Sequence, residues 1–155
     1  MTMTHNTSPA PKNIKLFCPE RMKSLEATEV GNVGEHLVAS ILGGYGLEVI
    51  KANGKGYDLL VVEGNRSTRI DVKTRSAGGD INFYIGKGKT TAYRDFSNEN
   101  VDMFAFVCLE TLSIIFRPSK DYVGKRTAYV PVSQRDVDPY ESWKEAILSL
   151  KNSYI

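Results

Sequence analysis

Soft-metal ligands are scarce in this sequence. Its 155 residues hold two cysteines and two histidines, with no CxxC pair and no cluster of Cys with His. That excludes the common zinc sites, and Cys18 and Cys108 read as reduced thiols rather than a structural disulfide. There is no run approaching the roughly 18 apolar residues of a membrane span. The opening MTMTHNTSPAPK has no apolar stretch, so no secretory signal is expected. A cytoplasmic protein with no membrane partner is the resulting expectation. The net charge of +2 is also small. It neither demands nor excludes a polyanion, since a local basic patch decides that.

What remains has ordinary globular proportions, with 41% hydrophobic and 25% charged residues. The length suggests a single domain. Residues 1–13 are polar and contain Pro9 and Pro11, which reads as a disordered tail ahead of a domain over 14–155. From Glu26 to Tyr45, Val30, Val33, Leu37, Val38, Ile41 and Leu42 recur at helical spacing, and Gly43, Gly44 and Gly46 end the helix. Strands are expected at 47–50, 57–63, 68–74, 81–85, 101–109 and 112–117, with an edge strand at 127–132. Gly64-Asn65-Arg66-Ser67 makes a turn and 57–74 an antiparallel hairpin, while residues 86–100 read as a loop. Asp138 caps a last helix whose first residue is Pro139. Helix, strands, helix implies an α/β fold with a mixed central sheet flanked by helices.

One stretch carries chemistry. In a strand, alternate residues share a face, so Ile70 and Val72 point one way and Asp71 and Lys73 the other. The hairpin brings Asp58 towards them. Two carboxylates beside apolar strands need a cation to be tolerable. Magnesium, with manganese able to substitute, takes oxygen ligands of this kind, namely Asp58, Asp71 and the backbone carbonyl of Val72. Lys73 would orient a water and offset developing negative charge. Glu35 lies at the edge of the first helix's apolar stripe. Gly31 and Gly34 flank it and let backbone or ligand approach closely. It is a candidate third acid, acting through water or a second metal.

A bare acid-x-Lys triplet is expected about once by composition in a chain this long, so context must carry the reading. That context resembles the PD-(D/E)XK nuclease superfamily. Asp58 followed by Asp71-Val72-Lys73 matches its core motif, with Tyr57 where a proline is usual. The segments Gly31 to Glu35, Tyr57-Asp58-Leu59, Asp71 to Thr74 and Val101-Asp102-Met103-Phe104 resemble the small group I intron-associated endonucleases of that superfamily, and Gly31 to Glu35 also resembles Holliday-junction resolvases. The resemblance spans roughly residues 29 to 118. It implies a restriction-endonuclease-like core, magnesium-dependent DNA cleavage of homing, resolvase or phage type, and Glu35, Asp58, Asp71 and Lys73 as the catalytic set. Cutting both strands would call for a homodimer or larger homo-oligomer. The helix usual after the third strand is not visible here.

Rival readings are a non-catalytic nucleic-acid-binding module on the same fold, and an α/β domain in which Asp58, Asp71 and Lys73 form only an ion pair. Arg75, Lys87, Lys89, Tyr93 and Arg94 could form a phosphate-tracking surface with an aromatic for stacking, or simply a solvated loop. Asp95 and Asp102 are assigned no chemistry beyond shaping that loop. His36 reads as a helix-face residue. Gly88-Lys89-Thr90 is not a phosphate-binding P-loop, because Phe83 stands where that motif needs glycine.

Overall fold

The computed structural model describes residues 16–77, 81–87, 94–131 and 137–152. The expected tail at 1–13 lies outside them. A short helix α1 (Pro19–Met22) precedes helix α2 (Ala27–Gly44). Glu29 reaches back to accept the backbone N–H of Glu26 at 3.1 Å, which closes the first turn of α2. Gly43 and Gly44 stay helical, and Gly46 at φ +82° makes the left-handed step that ends the element.

Five strands form a mixed sheet in the order β1-β2-β3-β5-β6. They are β1 (Glu48–Lys51), β2 (Leu59–Glu63), β3 (Arg66–Arg75), β5 (Met103–Cys108) and β6 (Ser113–Pro118). All neighbours are antiparallel except β3 and β5, which run parallel at the centre. The β2–β3 hairpin is tighter than the turn expected over 64–67. Arg66 and Ser67 already pair with Glu63 and Val62, leaving Gly64 and Asn65 as the loop. Gly64 sits at φ +61°, the sign a two-residue hairpin of this twist needs at its first position.

The fourth expected strand, β4 (Ile81–Tyr84), stands apart from this sheet. It pairs antiparallel with β7 (Thr127–Val130) as a separate two-stranded ribbon. The chain therefore crosses from β3 to its parallel neighbour β5 through a strand and a loop, with no crossover helix among the described residues. A 3-10 turn (Ser119–Tyr122) follows β6, and helix α3 (Pro139–Asn152) closes the fold. The last helix begins at Pro139 as its sequence indicates, and Asp138 accepts the N–H of Tyr140 at 2.8 Å. No helix among the described residues is long and apolar enough to cross a membrane.

The two faces of the sheet are covered differently, and this positions the site. Val30, Val38 and Leu42 of α2 and Trp143, Ala146 and Leu150 of α3 bury one face against Ile70, Val72, Met103, Ala105 and Val107. On the other face Phe104, Phe106, Cys108 and Ile115 pack under Ile81, Phe83, Ala128 and Val130 of the ribbon. Phe83 and Phe106 lie 4.9 Å apart, ring centre to ring centre, and Phe96 packs against Phe104 at 4.8 Å, both pairs tilted. Asp71 pairs in register with Phe104, and Lys73 with Phe106. The polar side chains of β3 thus share the ribbon's face at the point where aromatic cover gives way to the hairpin.

Asp102 locks the start of the parallel pair. Its carboxylate accepts from the Arg69 backbone N–H (2.8 Å), Nε (3.0 Å) and Nη2 (3.0 Å), while its own N–H donates to the Arg69 carbonyl (2.9 Å). The role expected for Asp102 in the preceding loop becomes a sheet-register role, whereas Asp95 makes an exposed ion pair with Arg126. Asp102→Ala would remove the acceptor of the Arg69 Nε, Nη2 and backbone N–H, leaving the Nη1 bond to the Glu99 carbonyl. It should cost about 2–3 kcal/mol in chemical denaturation. A change under half a kilocalorie would show that the pair is not holding the register.

Candidate active site

Asp58 is the residue just before β2. Its backbone N–H still donates to the carbonyl of Ile70 at 2.9 Å, so it ends the β2–β3 ladder. The next rung is made by its side chain. Asp58 Oδ2 accepts the Val72 N–H at 2.7 Å in place of a backbone carbonyl. A strand residue sends its N–H and C=O to the same edge. The Val72 carbonyl therefore lies on the edge that Asp58 occupies.

Asp71 projects from the neighbouring position onto the open face, near enough to Asp58 for that carboxyl to raise its pKa. Lys73, two residues on, shares that face and places Nζ 3.1 Å from Asp71 Oδ2. The Asp71 side chain is only 17% exposed. Burial pushes its carboxyl up to about 7, against the pull of Lys73 and with Asp58 adding to the rise. A second cation beside this buried carboxyl would favour its charged form.

That electrostatic demand is the test of whether the residues suit a metal. Two carboxylates and a strand-edge carbonyl are hard oxygen donors. Magnesium commonly uses one or two carboxylates and fills its remaining positions with water and substrate phosphate. The donor set fits. Among the described residues, however, no group of three or more Asp, Glu, His or Cys side chains is placed to hold an ion. The structure thus brings together Asp58, Asp71, Lys73 and the Val72 edge.

Glu35 stands elsewhere. It pairs with Lys51 Nζ at 3.4 Å, at the end of β1. Lys51 is in register with Leu59, and the Ala52 N–H donates to the Asp58 carbonyl at 2.9 Å. Glu35 is therefore linked to Asp58 through the β1 edge rather than through a shared ligand position. The sequence reading missed Lys51, because a lysine ending a four-residue strand carries no pattern of its own. Of the two glycines flanking Glu35, Gly34 makes a close approach, since a Cβ there would overlap Thr74 Oγ1. A Cβ on Gly31 would meet nothing within 4 Å among the described residues, so no backbone makes a close approach there.

Of the proposed phosphate-tracking residues, Arg75 is the exposed last residue of β3, on the same face as Asp71 and Lys73. Lys87 and Arg94 form an antiparallel bridge (Lys87 N–H to Arg94 O, 3.0 Å; Arg94 N–H to Lys87 O, 2.7 Å), so part of the expected loop is paired backbone. Lys89 and Tyr93 lie outside the described residues. His36 is exposed on α2, as a helix-face residue should be.

No protein-family model matches the sequence, and no curated protein is significantly similar to it. Solved structures do resemble the fold. The bacterial homing endonuclease I-Ssp6803I superposes with a TM-score of 0.67 at 14% identity, over 84% of this chain and 98% of that one. The Holliday junction resolvase Hjc of Archaeoglobus fulgidus gives a looser superposition, with a TM-score of 0.47 at 15% identity, over 68% of this chain and 86% of that one. The first of these likenesses establishes the architecture. The five-stranded mixed sheet flanked by helices is the fold of that homing endonuclease structure.

Proposed function

We propose that the chain is a magnesium-dependent DNA endonuclease. The observation that carries this reading is the shared position of Asp58, Asp71 and Lys73 at one strand edge, on a fold of nuclease type. The homing endonuclease among its structural neighbours supports DNA as the substrate. A fold alone does not assign a reaction. The acids and the lysine do the arguing here.

Asp58, Asp71 and the Val72 carbonyl would hold the metal, with manganese an acceptable substitute. A bound ion of this kind polarises the scissile phosphate and makes a coordinated water more acidic. Asp71 supplies one negative charge and, because Lys73 is already on its Oδ2, fixes where the ammonium sits. Lys73 orients the attacking water and offsets charge gathering on the phosphate. Asp58 fixes the geometry of the pair through the Val72 N–H. Glu35 contributes as an outer acid across the β1 edge, steered by Lys51. Arg75, Lys87 and Arg94 offer phosphate contacts near the catalytic face, and Lys89 and Tyr93 belong to the same proposed surface. Cutting both strands of a duplex needs two such sites, so the working species is a homodimer or a larger homo-oligomer.

The test is a magnesium titration with supercoiled plasmid, linear duplex, four-way junction and single strand side by side. At least one substrate should be cut, with manganese replacing magnesium. Glu35→Gln should slow cutting by roughly 10- to 100-fold, the range for a group acting through another. Binding without cutting in either metal would make the chain a nucleic-acid-binding module instead.

A further inference from the structure

The endonuclease reading leaves open how the chain chooses its DNA. The β4–β7 ribbon is built for that task. Its strands pair Asn82 with Tyr129 and Tyr84 with Thr127. Strict alternation sends Ile81, Phe83, Ala128 and Val130 into the core and leaves Asn82, Tyr84, Thr127 and Tyr129 on the outer face. Tyr84 is 42% and Tyr129 54% exposed, so two aromatic rings stand in solvent on an otherwise polar ribbon.

Two further observations select the partner. The ribbon and its immediate flanks carry Lys87, Lys125 and Arg126 against one acid, Asp80, directly before β4 in the sequence. Asp95 neutralises part of this from outside by pairing with Arg126 at 2.9 Å, and Lys125 lies over the Tyr122 ring at 5.7 Å. The balance still favours a polyanion. The ribbon also sits on the catalytic face. Phe83, between the outward Asn82 and Tyr84, packs against Phe106, and Phe106 is the register neighbour of Lys73.

We infer that the outer face of this ribbon enters the major groove of duplex DNA and reads bases next to the scissile phosphate. The major groove, about 12 Å wide, admits a two-stranded ribbon. Four residues per strand extend roughly 13 Å, the rise of about four base pairs. Asn82 can pair with adenine N6 and N7, Thr127 can serve either a donor or an acceptor, and the Tyr84 and Tyr129 rings can contact thymine methyl groups. Lys87, Lys125 and Arg126 would neutralise flanking phosphates. The inference rests on the endonuclease reading, so its test has to separate the two.

Full-length protein is given a pool of duplexes with a randomised segment in magnesium, and the cut ends are sequenced. In parallel, binding-enriched duplexes are sequenced in calcium. The parent should show base preferences within about half a helical turn, or five base pairs, of the cut. Asn82→Ala/Tyr129→Ala should lower the enrichment at two or more of those positions at least fivefold, with an unchanged melting temperature. Tyr84→Thr/Tyr129→Thr, which keeps strand propensity, is the second variant should the first fold poorly, and it should also flatten the profile. Unaltered preferences in a folded variant overturn the inference. So does a parent that cuts with no base preference, a result that leaves the endonuclease reading standing. A parent that cuts nothing in the pool or in any defined substrate removes both.

Discussion

Replacing Asp71 with Asn should give a protein that cuts no DNA and yet, without divalent cations at pH 8, is at least as stable as the parent. Cleavage should fall roughly a thousandfold or more, because a ligand and the anchor of Lys73 go together. The stability half follows from the burial of Asp71. Its carboxyl lies near 3.8 in the unfolded chain and is pushed up to about 7 in the folded one, chiefly by desolvation. Below the first value both states hold the proton. Between the two values the unfolded chain releases it and the folded chain keeps it, so stability falls as pH rises. Above about 7 the loss is complete. Melts of the metal-free parent should therefore weaken from pH 4 to pH 8, and those of Asp71→Asn should weaken less. Magnesium should restore the parent at pH 8 and leave the variant unmoved. Equal pH dependence in the two proteins would mean that Asp71 is not strained by burial.

The second large effect belongs to Gly34→Ala. A Cβ at this buried helix position would overlap Thr74 Oγ1 and come within 2.8 Å of Thr74 Cβ and Cγ2. The Thr74 hydroxyl is buried there and has no hydrogen-bond partner among the described residues. It directly follows Lys73, so a helix pushed away from Thr74 also disturbs the strand that aims the lysine. Overpacking of this kind costs about 1–3 kcal/mol, against a helix-propensity gain of up to about 1. Cleavage should fall further, roughly 100-fold for a displacement near 1 Å. Combining Gly34→Ala with Thr74→Ala should recover part of both losses, and simple additivity would show that the two residues are not in contact.

What was legible in the sequence was what is local. The alternation in Thr68 to Thr74 put Asp71 and Lys73 on one face, and the structure has them there. Helical spacing located α2, and Pro139 marked the first turn of α3. What stayed illegible needed partners distant in the chain. Ile81–Tyr84 and Thr127–Val130 each read as strands, but neither pattern says that they pair with one another outside the main sheet. The Lys51 hold on Glu35 and the Arg69–Asp102 clasp join residues brought together only by folding. Gly31 and Gly34 looked alike, because a sequence does not show which side of a helix meets a strand.

Incubation of supercoiled plasmid with magnesium, parent beside Asp71→Asn, tests the central claim most directly. The account predicts nicked or linear product from the parent, none without the divalent cation, and none from the variant. Equal cutting by both proteins would contradict it.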